Sequence, residues 1–231
     1  MLKKDKSLWN HLTVKIRNMK DIAIYGAGGF GREVACLIQM INKEKNKWNF
    51  IGFFDDGISI DSENEYGKVI GGIDELNCYE GDLSIVFAIG LPKTVNSILS
   101  KIKKDDLSYP NLIATNVVYL DESSLSIGKG NIICSGCLIS CNVKIGDFNI
   151  LNSNVGIGHD TIIGDINALM PSVKISGGVE IGNMNFFGVS SVVLQLLKIK
   201  NHVTLGANSV LIRKPKENNT YVGNPARLIK Y

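Results

Sequence analysis

One histidine in the sequence stands directly beside a carboxylate. The chain contains three histidines, and only His159 is followed by an acid, Asp160. A carboxylate that orients an imidazole and raises its basicity makes a general base that works near neutral pH. The alternative is a surface histidine beside a solvated aspartate. The pair therefore predicts catalysis by proton transfer, with His159 as the base and Asp160 as its partner.

A glycine-rich segment near the N-terminus has the spacing of a phosphate-binding loop. Gly26-x-Gly28-x-x-Gly31 follows a short apolar run over 21–25 and precedes an amphipathic segment over 32–42. Between a strand and a helix, such glycines let backbone N–H groups approach a phosphate at the positive helix N-terminus. The alternative is a tight turn that binds nothing. We predict a nucleotide site, and so short a domain suits a mononucleotide sugar better than a dinucleotide.

Two adjacent acids follow the next apolar run. Asp55 and Asp56 come after residues 50–54, at a strand end where a ribose or base could be held. A third apolar run covers 83–89, and a helical segment over 95–101 follows it. This order predicts a small parallel sheet, that is, an α/β Rossmann-like domain over 19–110.

From 125 to 214 the sequence repeats every six residues without losing phase, which makes fifteen hexads. The third position of each hexad is always apolar: Ile127, Ile133, Ile139, Ile145, Leu151, Ile157, Ile163, Leu169, Ile175, Ile181, Phe187, Val193, Ile199, Leu205 and Leu211. A helix turns once in 3.6 residues and a strand alternates every two, so neither explains a period of six. The hexads predict a parallel β-helix with triangular coils of 18 residues.

These patterns divide the chain into four parts. We expect an N-terminal extension over 1–18 with one short amphipathic helix, the α/β domain over 19–110, the β-helix over 111–214, and a tail over 215–231. Residues 110–124 carry no hexads and read as the segment that joins the two domains.

Composition and charge exclude several classes of protein. A net charge of +3 is too small to predict nucleic-acid binding. The sequence has no apolar run of membrane-spanning length, and its first 20 residues lack the continuous apolar core of a signal peptide. We therefore expect no membrane partner and a cytoplasmic location.

Three cysteines form a C-x2-C-x3-C cluster that invites a metal interpretation. Cys134, Cys137 and Cys141 occupy three different positions of the hexad, so they should point in different directions. No histidine or fourth cysteine lies near them to complete a ligand set. We interpret them as small residues that fill corners and faces, and we expect no metal.

Basic residues concentrate near the C-terminus. Between 185 and 231 the only acid is Glu217, and the basic residues are Lys198, Lys200, Arg213, Lys214, Lys216, Arg227 and Lys230. A positive end of the β-helix suits an acidic cofactor such as coenzyme A, with its phosphates. The alternative is an ordinary soluble surface.

Five short motifs, together with the hexads, resemble those of a known family. They are IYGAGGFG over 24–31, GFFDD over 52–56, AIG over 88–90, IGHD over 157–160 and VGNPA over 222–226. In order and spacing the chain resembles the hexapeptide-repeat acyltransferases, whose parallel β-helix is left-handed. Within them it looks like the branch of sialic acid O-acetyltransferase-like proteins and nucleotide-amino-sugar N-acetyltransferases, from about residue 20 to 230.

This resemblance implies a homotrimer with acetyl-CoA between neighbouring β-helices. It implies that His159 is the base, Asp160 its partner, and Gly177 the residue whose backbone amide binds the thioester carbonyl. It places Val189, Gly206 and Ala207 along the cofactor cleft. It assigns the sugar nucleotide to Gly28, Gly29, Phe30, Asp55 and Asp56, with Asn152 reaching the sugar from another subunit. Some relatives have histidines at positions that correspond to Phe30 and Ala168 here.

The function expected from these observations is acetyl-CoA-dependent N-acetylation of a nucleotide-linked amino sugar. The sugar class is a 4-amino-4,6-dideoxyhexose, as in the biosynthesis of bacterial surface glycans. The nearest alternative is O-acetylation of a sugar hydroxyl such as that of a sialic acid. Two others remain: a non-catalytic protein that binds nucleotide sugar, and a nicotinamide-dependent oxidoreductase, which the glycine spacing alone would predict.

Overall fold

The computed structural model of this chain describes residues 19–229. The predicted extension over 1–18, with its amphipathic helix, lies outside the described residues. Within them an α/β domain is followed by a long stack of short, mostly parallel strands. No helix of this described part is long and apolar enough to cross a membrane.

The N-terminal domain is a six-stranded, mostly parallel sheet with three helices. Its strands are β1 (Lys20–Tyr25), β2 (Trp48–Phe54), β3 (Glu63–Asn64), β4 (Gly67–Gly71), β5 (Leu83–Phe87) and β6 (Leu107–Ser108). The helices are α1 (Gly29–Glu44), α2 (Ile73–Cys78) and α3 (Pro92–Leu99). The spatial order is β3-β4-β2-β1-β5-β6.

The centre of this sheet explains its apolar sequence. Strand β1 pairs in parallel with β2 on one side and β5 on the other, and Ile22, Ala23 and Ile24 are fully buried. A strand covered on both faces needs a continuous apolar run rather than an alternating one. Helix α1 packs Val34 and Ile38 among other apolar residues against it. The hairpin of β3 and β4 and helix α2 are short, and the apolar pattern did not predict them.

The C-terminal part is a solenoid with three faces of stacked strands. Face A consists of β7 (Leu112–Ile113), β10 (Ile132–Ile133), β13 (Ile150–Leu151), β16 (Ala168–Leu169), β19 (Phe186–Phe187), β22 (Thr204–Leu205), β24 (Thr220–Val222) and the antiparallel β25 (Arg227–Leu228). Face B consists of β8 (Val118–Tyr119), β11 (Leu138–Ile139), β14 (Gly156–Ile157), β17 (Lys174–Ile175), β20 (Val192–Val193) and β23 (Val210–Leu211). Face C consists of β9 (Ser126–Ile127), β12 (Lys144–Ile145), β15 (Ile162–Ile163), β18 (Glu180–Ile181) and β21 (Lys198–Ile199).

The strand pairing has the predicted 18-residue period. On face B, for example, Ile139 lies beside Ile157, and Ile157 beside Ile175. Fourteen of the fifteen inward positions are buried, with exposed fractions of 4% or less, and Ile127 is partly buried. The triangular coil of three hexads is therefore confirmed.

The solenoid begins earlier than the hexads do. Strands β7 and β8, within the predicted joining segment 110–124, already pair with β10 and β11. Their partners lie 20 residues away, as Leu112 with Ile132, because the short 3₁₀ helix Glu122–Ser124 lies within this coil. These extra residues break the six-residue phase, so the sequence pattern does not show this first coil.

The last two residues of each hexad form the corners, which we name AB, BC and CA after the faces they join. In every hexad but the last, the sixth residue adopts the left-handed conformation, with φ of 56° at Asn142, 60° at Asn154 and 58° at Asp160. Asparagine and aspartate enter this region more readily than most residues. Each corner is therefore a fixed turn, and equivalent residues of successive coils stack in a column.

A ladder of buried asparagines strengthens one edge of face A. Asn131, Asn149, Asn167 and Asn185 recur every 18 residues and are at most 1% exposed. The side-chain oxygen of each accepts the backbone N–H of the next, as from Asn149 to Asn131 at 2.8 Å. Such ladders satisfy polar groups that would otherwise destabilise the core. The apolar pattern of the hexads does not predict this ladder.

The α/β domain covers face A. The outward residues Ile132, Ile150 and Ala168 of that face are 4% exposed or less. Phe148, at corner CA, packs edge-to-face against Phe87 at 5.9 Å between ring centroids. Faces B and C are not covered by this domain in the single chain, so their outward residues face away from it.

Candidate active site

The His159–Asp160 pair lies at corner BC. His159 Nδ1 is 2.7 Å from Asp160 Oδ2, and the two side chains are 63% and 57% exposed. Two hydrogen bonds lower the pKa of Asp160. The one from His159 has the larger effect and the one from Asn142 the smaller. Since an ionised carboxylate only accepts, the Nδ1 atom of neutral His159 carries the proton and Nε2 keeps a free lone pair. The arrangement leaves Nε2 able to accept a proton.

The corner explains why two neighbouring residues meet. Successive side chains of an extended strand point to opposite sides. Asp160 departs from the strand with a φ of 58°, and its N–H donates to Cys141 O of the preceding coil at 3.0 Å. The left-handed turn thus brings the carboxylate beside the ring of His159.

Gly177 lies one coil beyond His159, directly against the imidazole. A β-carbon at position 177 would be 2.5 Å from His159 Nε2 and 2.6 Å from Cε1, closer than any real contact of this kind. Only glycine leaves room for the ring. The N–H of Gly177 has no acceptor within 19–229, whereas its carbonyl accepts from Leu196 N at 3.0 Å. The structure therefore places a free backbone donor beside the predicted base.

The other predicted cofactor residues lie at a different corner. Val189 and Ala207 are stacked at corner AB, and Val189 is 45% exposed. Gly206 directly precedes this corner, and a β-carbon there would meet Val222 Cγ2 of β24 at 2.6 Å. Within a single chain, the structure therefore does not bring Val189, Gly206 and Ala207 together with His159. Their role in cofactor binding stays a prediction.

The glycines of the N-terminal loop divide into two groups. Gly26 has a φ of 107°, and a β-carbon at Gly31 would overlap Gly26 O, so the fold itself requires these two. Gly28 and Gly29 have nothing within 4 Å of a β-carbon. They open the N-terminus of α1, which has no side-chain cap. Phe30 is partly buried and packs against the apolar residues that α1 and the sheet bury between them.

The two predicted acids hold loops of the N-terminal domain. Asp55 accepts hydrogen bonds from Ala27 N and Gly57 N, both at 2.8 Å. Asp56 accepts from Tyr25 Oη and Ile73 N, both at 2.9 Å. Burial raises the pKa of Tyr25, and the hydrogen bond to Asp56 raises it further. Both carboxylates therefore hold the loops at the carboxyl ends of β1 and β2, and their contact with a substrate stays a prediction.

Asn152 lies near corner AB with a buried side chain. It is 7% exposed, and its Oδ1 accepts from Ser153 N at 2.7 Å. A groove of about 250 Å³ between α1 and this corner is lined in part by Cys36, Met40 and Ser153. Asn152 and His159 belong to different corners of one chain, so a site that used both would draw on two subunits.

The structure also places the predicted cysteine cluster and one of the basic residues near the C-terminus. Burial raises the pKa of Cys134 to about 12 and of Cys137 to about 11, so both thiols are protonated. No group of three or more histidine, cysteine, aspartate or glutamate residues in the described part of the chain is placed to hold a metal ion. Lys198 is paired with Glu180 at 2.7 Å, which neutralises part of the predicted positive end.

The fold and site define a two-domain protein with a Rossmann-like sheet and a left-handed β-helix that carries a histidine–aspartate pair. Residues 21–102 match the family described as the PglD N-terminal domain. A comparison with curated protein sequences found no match.

Solved structures match both domains together. WeeI from Acinetobacter baumannii AYE is 27% identical, with a TM-score of 0.80, over 91% of this chain and 100% of that one. The acetyltransferase domain of PglB from Neisseria gonorrhoeae FA1090, solved also with acetyl coenzyme A, is 24% identical with a TM-score of 0.82 over 91% and 100%. PerB from Caulobacter crescentus, in complex with CoA and GDP-perosamine, is 24% identical with a TM-score of 0.80 over 91% and 97%. The predicted fold class and the resemblance to hexapeptide-repeat acyltransferases are confirmed.

Proposed function

We propose that this protein transfers the acetyl group of acetyl-CoA to the amino group of a nucleotide-linked amino sugar. The observation that carries this proposal is the free N–H of Gly177 beside the His159–Asp160 pair. A base and a backbone donor side by side are what acyl transfer needs: one group to take a proton and one to hold an oxyanion.

The reaction follows from these three groups. The amine nitrogen attacks the thioester carbonyl while His159 Nε2 takes the proton that the nitrogen loses. The N–H of Gly177 donates to the carbonyl oxygen as it gains negative charge. Asp160 accepts from Nδ1 and so stabilises the imidazolium that forms. The tetrahedral intermediate then expels the thiolate of coenzyme A, which takes up the proton. The chain needs neither a metal nor a covalent enzyme intermediate for these steps.

A homotrimer completes the site. Face B and the adjoining corner BC expose apolar side chains: Val118, Leu120, Leu138, Leu194, Leu196 and Ile212. Large exposed apolar surfaces of this kind mark interfaces. The predicted cofactor residues at corner AB and the base at corner BC belong to different corners of one chain. A closed ring of three chains would bring corner BC of one against corner AB of the next, with acetyl-CoA between them.

The N-terminal domain supplies the sugar-nucleotide site of this proposal. Above Gly28 and Gly29 the uncapped end of α1 is open, and helix N-termini favour phosphate. Asp55 and Asp56 lie at the next strand end, where they suit a ribose or a base. Of the structures matched, PerB holds GDP-perosamine. We assign the same class of substrate here, a 4-amino-4,6-dideoxyhexose on a nucleotide.

The proposed functions of the two domains give the domain assignment. We place nucleotide-sugar binding in 19–110 and acetyl transfer in 111–214, followed by the tail over 215–231. Acetyl-CoA and nucleotide sugars are cytoplasmic metabolites, so we place the protein in the cytoplasm and in surface-glycan biosynthesis.

A thiol-release assay tests the proposal. Purified protein and acetyl-CoA are offered UDP-, dTDP- and GDP-linked 4-amino-4,6-dideoxyhexoses, with a free sialic acid as the O-acetyl acceptor. We expect release of CoA with one or more of the amino sugars and a product heavier by one acetyl group in mass spectrometry. His159→Ala serves as the control and should release CoA about 10²–10⁴-fold more slowly. Transfer only to the sialic acid would replace N-acetylation by O-acetylation, and no transfer to any acceptor would overturn the proposal.

A further inference from the structure

Corner BC contains a third polar side chain in contact with the catalytic pair. The Nδ2 of Asn142 donates to Asp160 Oδ1 at 3.1 Å, while the other oxygen, Oδ2, meets His159 Nδ1 at 2.7 Å. Asn142 lies 18 residues before Asp160, at the same position of the coil below. One carboxylate is thus held from both sides, by an amide and by an imidazole.

The surroundings of Asp160 explain why a second contact matters. The carboxylate is 57% exposed, and an exposed aspartate alone would exchange between rotamers and water contacts. Its backbone is fixed by the corner, but its terminal torsion is broad and roughly two-fold. A donor on Oδ1 selects the orientation in which Oδ2 faces His159. It also favours the ionised carboxylate, which alone keeps Nδ1 protonated and Nε2 free.

Asn142 is itself held in place. Its φ of 56° is left-handed, and its backbone N–H donates to Ser124 Oγ at 2.8 Å. Ser124 Oγ in turn donates to Asp121 O at 3.1 Å, at the end of the 3₁₀ helix. The chain of contacts therefore runs from the first coil of the solenoid to the imidazole of His159.

We propose that Asn142 is a positioning residue: it orients Asp160 and so fixes the tautomer in which His159 Nε2 acts as the base. This inference rests on the proposed acetyl transfer. It assigns a catalytic consequence to a residue that touches neither substrate nor the reacting atoms.

The variant Asn142→Gly tests this role with little strain, because glycine adopts a positive φ readily. We expect kcat to fall by about 10- to 100-fold, as for the loss of a hydrogen bond to a charged group, with the KM values of both substrates nearly unchanged. Adding Asn142→Gly to Asp160→Ala should cause no further loss, because the two act as one unit. The matched control is Asn218→Gly, an asparagine with a φ of 60° in the tail, which should keep wild-type kcat.

A second measurement does not depend on activity. Long-range ¹⁵N–¹H NMR spectra report the tautomer of neutral His159, and a chain with three histidines is easily assigned by comparison with His159→Ala. We expect the Nδ1–H form in the wild type and in Asn218→Gly, and a mixture in Asn142→Gly. An unchanged tautomer, or wild-type kcat in Asn142→Gly while His159→Ala loses most of its kcat, would overturn the inference alone. An inactive wild type that shows the expected tautomers would instead refute the proposed function and leave the positioning contact established.

Discussion

The substitution Gly177→Ala probes the geometry of the site more directly than removal of the base does. Gly177 is not in the left-handed region, so alanine suits its backbone. The added β-carbon would lie 2.5, 2.6 and 2.9 Å from Nε2, Cε1 and Cδ2 of His159. Ordinary contacts begin at 3.4 Å, so the ring has to retreat by about 1 Å. The clash falls on Nε2 and on the two ring carbons bonded to it.

The expected magnitude follows from that displacement. A reacting group misplaced by about 1 Å loses about 10²-fold in rate, or about 2.7 kcal/mol of transition-state stabilisation. Stability should change little, because the side chain of His159 is 63% exposed and can move into solvent. We therefore expect kcat to fall about 100-fold while the melting temperature stays close to that of the wild type.

The assay is CoA release at saturating concentrations of both substrates, together with a thermal unfolding curve. The control is the double variant His159→Ala with Gly177→Ala, which should be no slower than His159→Ala alone, because the ring that clashes is gone. A Gly177→Ala protein that retains kcat within about threefold of the wild type would show that the imidazole does not lie over Gly177 in the working enzyme. A double variant much slower than His159→Ala would show that alanine harms the N–H of Gly177 rather than the ring.

The remaining predictions concern the base, the solenoid register and the nucleotide site. His159→Ala should lower kcat by about 10²–10⁴-fold with an unchanged melting temperature, and near-wild-type turnover would mean that another group is the base. Ile145→Asp should abolish soluble protein, because it buries a carboxylate at a position that is 4% exposed. The control variant Lys144→Asp changes the exposed neighbouring residue and should fold. Equal solubility of the two variants would contradict the predicted register of inward and outward residues. The double variant Asp55→Ala, Asp56→Ala should raise the KM for the sugar nucleotide and leave that for acetyl-CoA nearly constant, and a change in acetyl-CoA affinity alone would reverse the assignment of the two sites.

The sequence alone was sufficient for the architecture because the hexads are a strong periodic signal. An inward apolar residue every six positions leaves the triangular coil as the one regular solution, and fourteen of those residues are buried as predicted. Strand β1 and helix α1 were visible for a similar reason: a doubly covered strand and a one-sided helix leave different apolar patterns. The first coil was missed because its extra residues, near Glu122–Ser124, break the period.

The residues of the candidate site are of two kinds: some are adjacent in the sequence, and others are close only in space. His159 and Asp160 could be proposed from the sequence because they are adjacent in the chain and of types that transfer protons. The contact of Asn142 with Asp160, and the position of the His159 ring over Gly177, depend on the stacking of coils 18 residues apart. No pattern within one hexad reveals these contacts, since each joins residues of two coils.

Only the tertiary structure decided where the predicted residues lie relative to one another. Asp55 and Asp56 were predicted to face a substrate, and both also accept hydrogen bonds that hold the loops of their own domain. Val189 and His159 were assigned to a site between neighbouring β-helices, and in one chain they lie at different corners of the prism. The sequence determines which corner a residue occupies through its position in the repeat. The three-sided cross-section keeps the corners of one chain apart. Residues at two different corners could therefore approach each other only if they belonged to different chains.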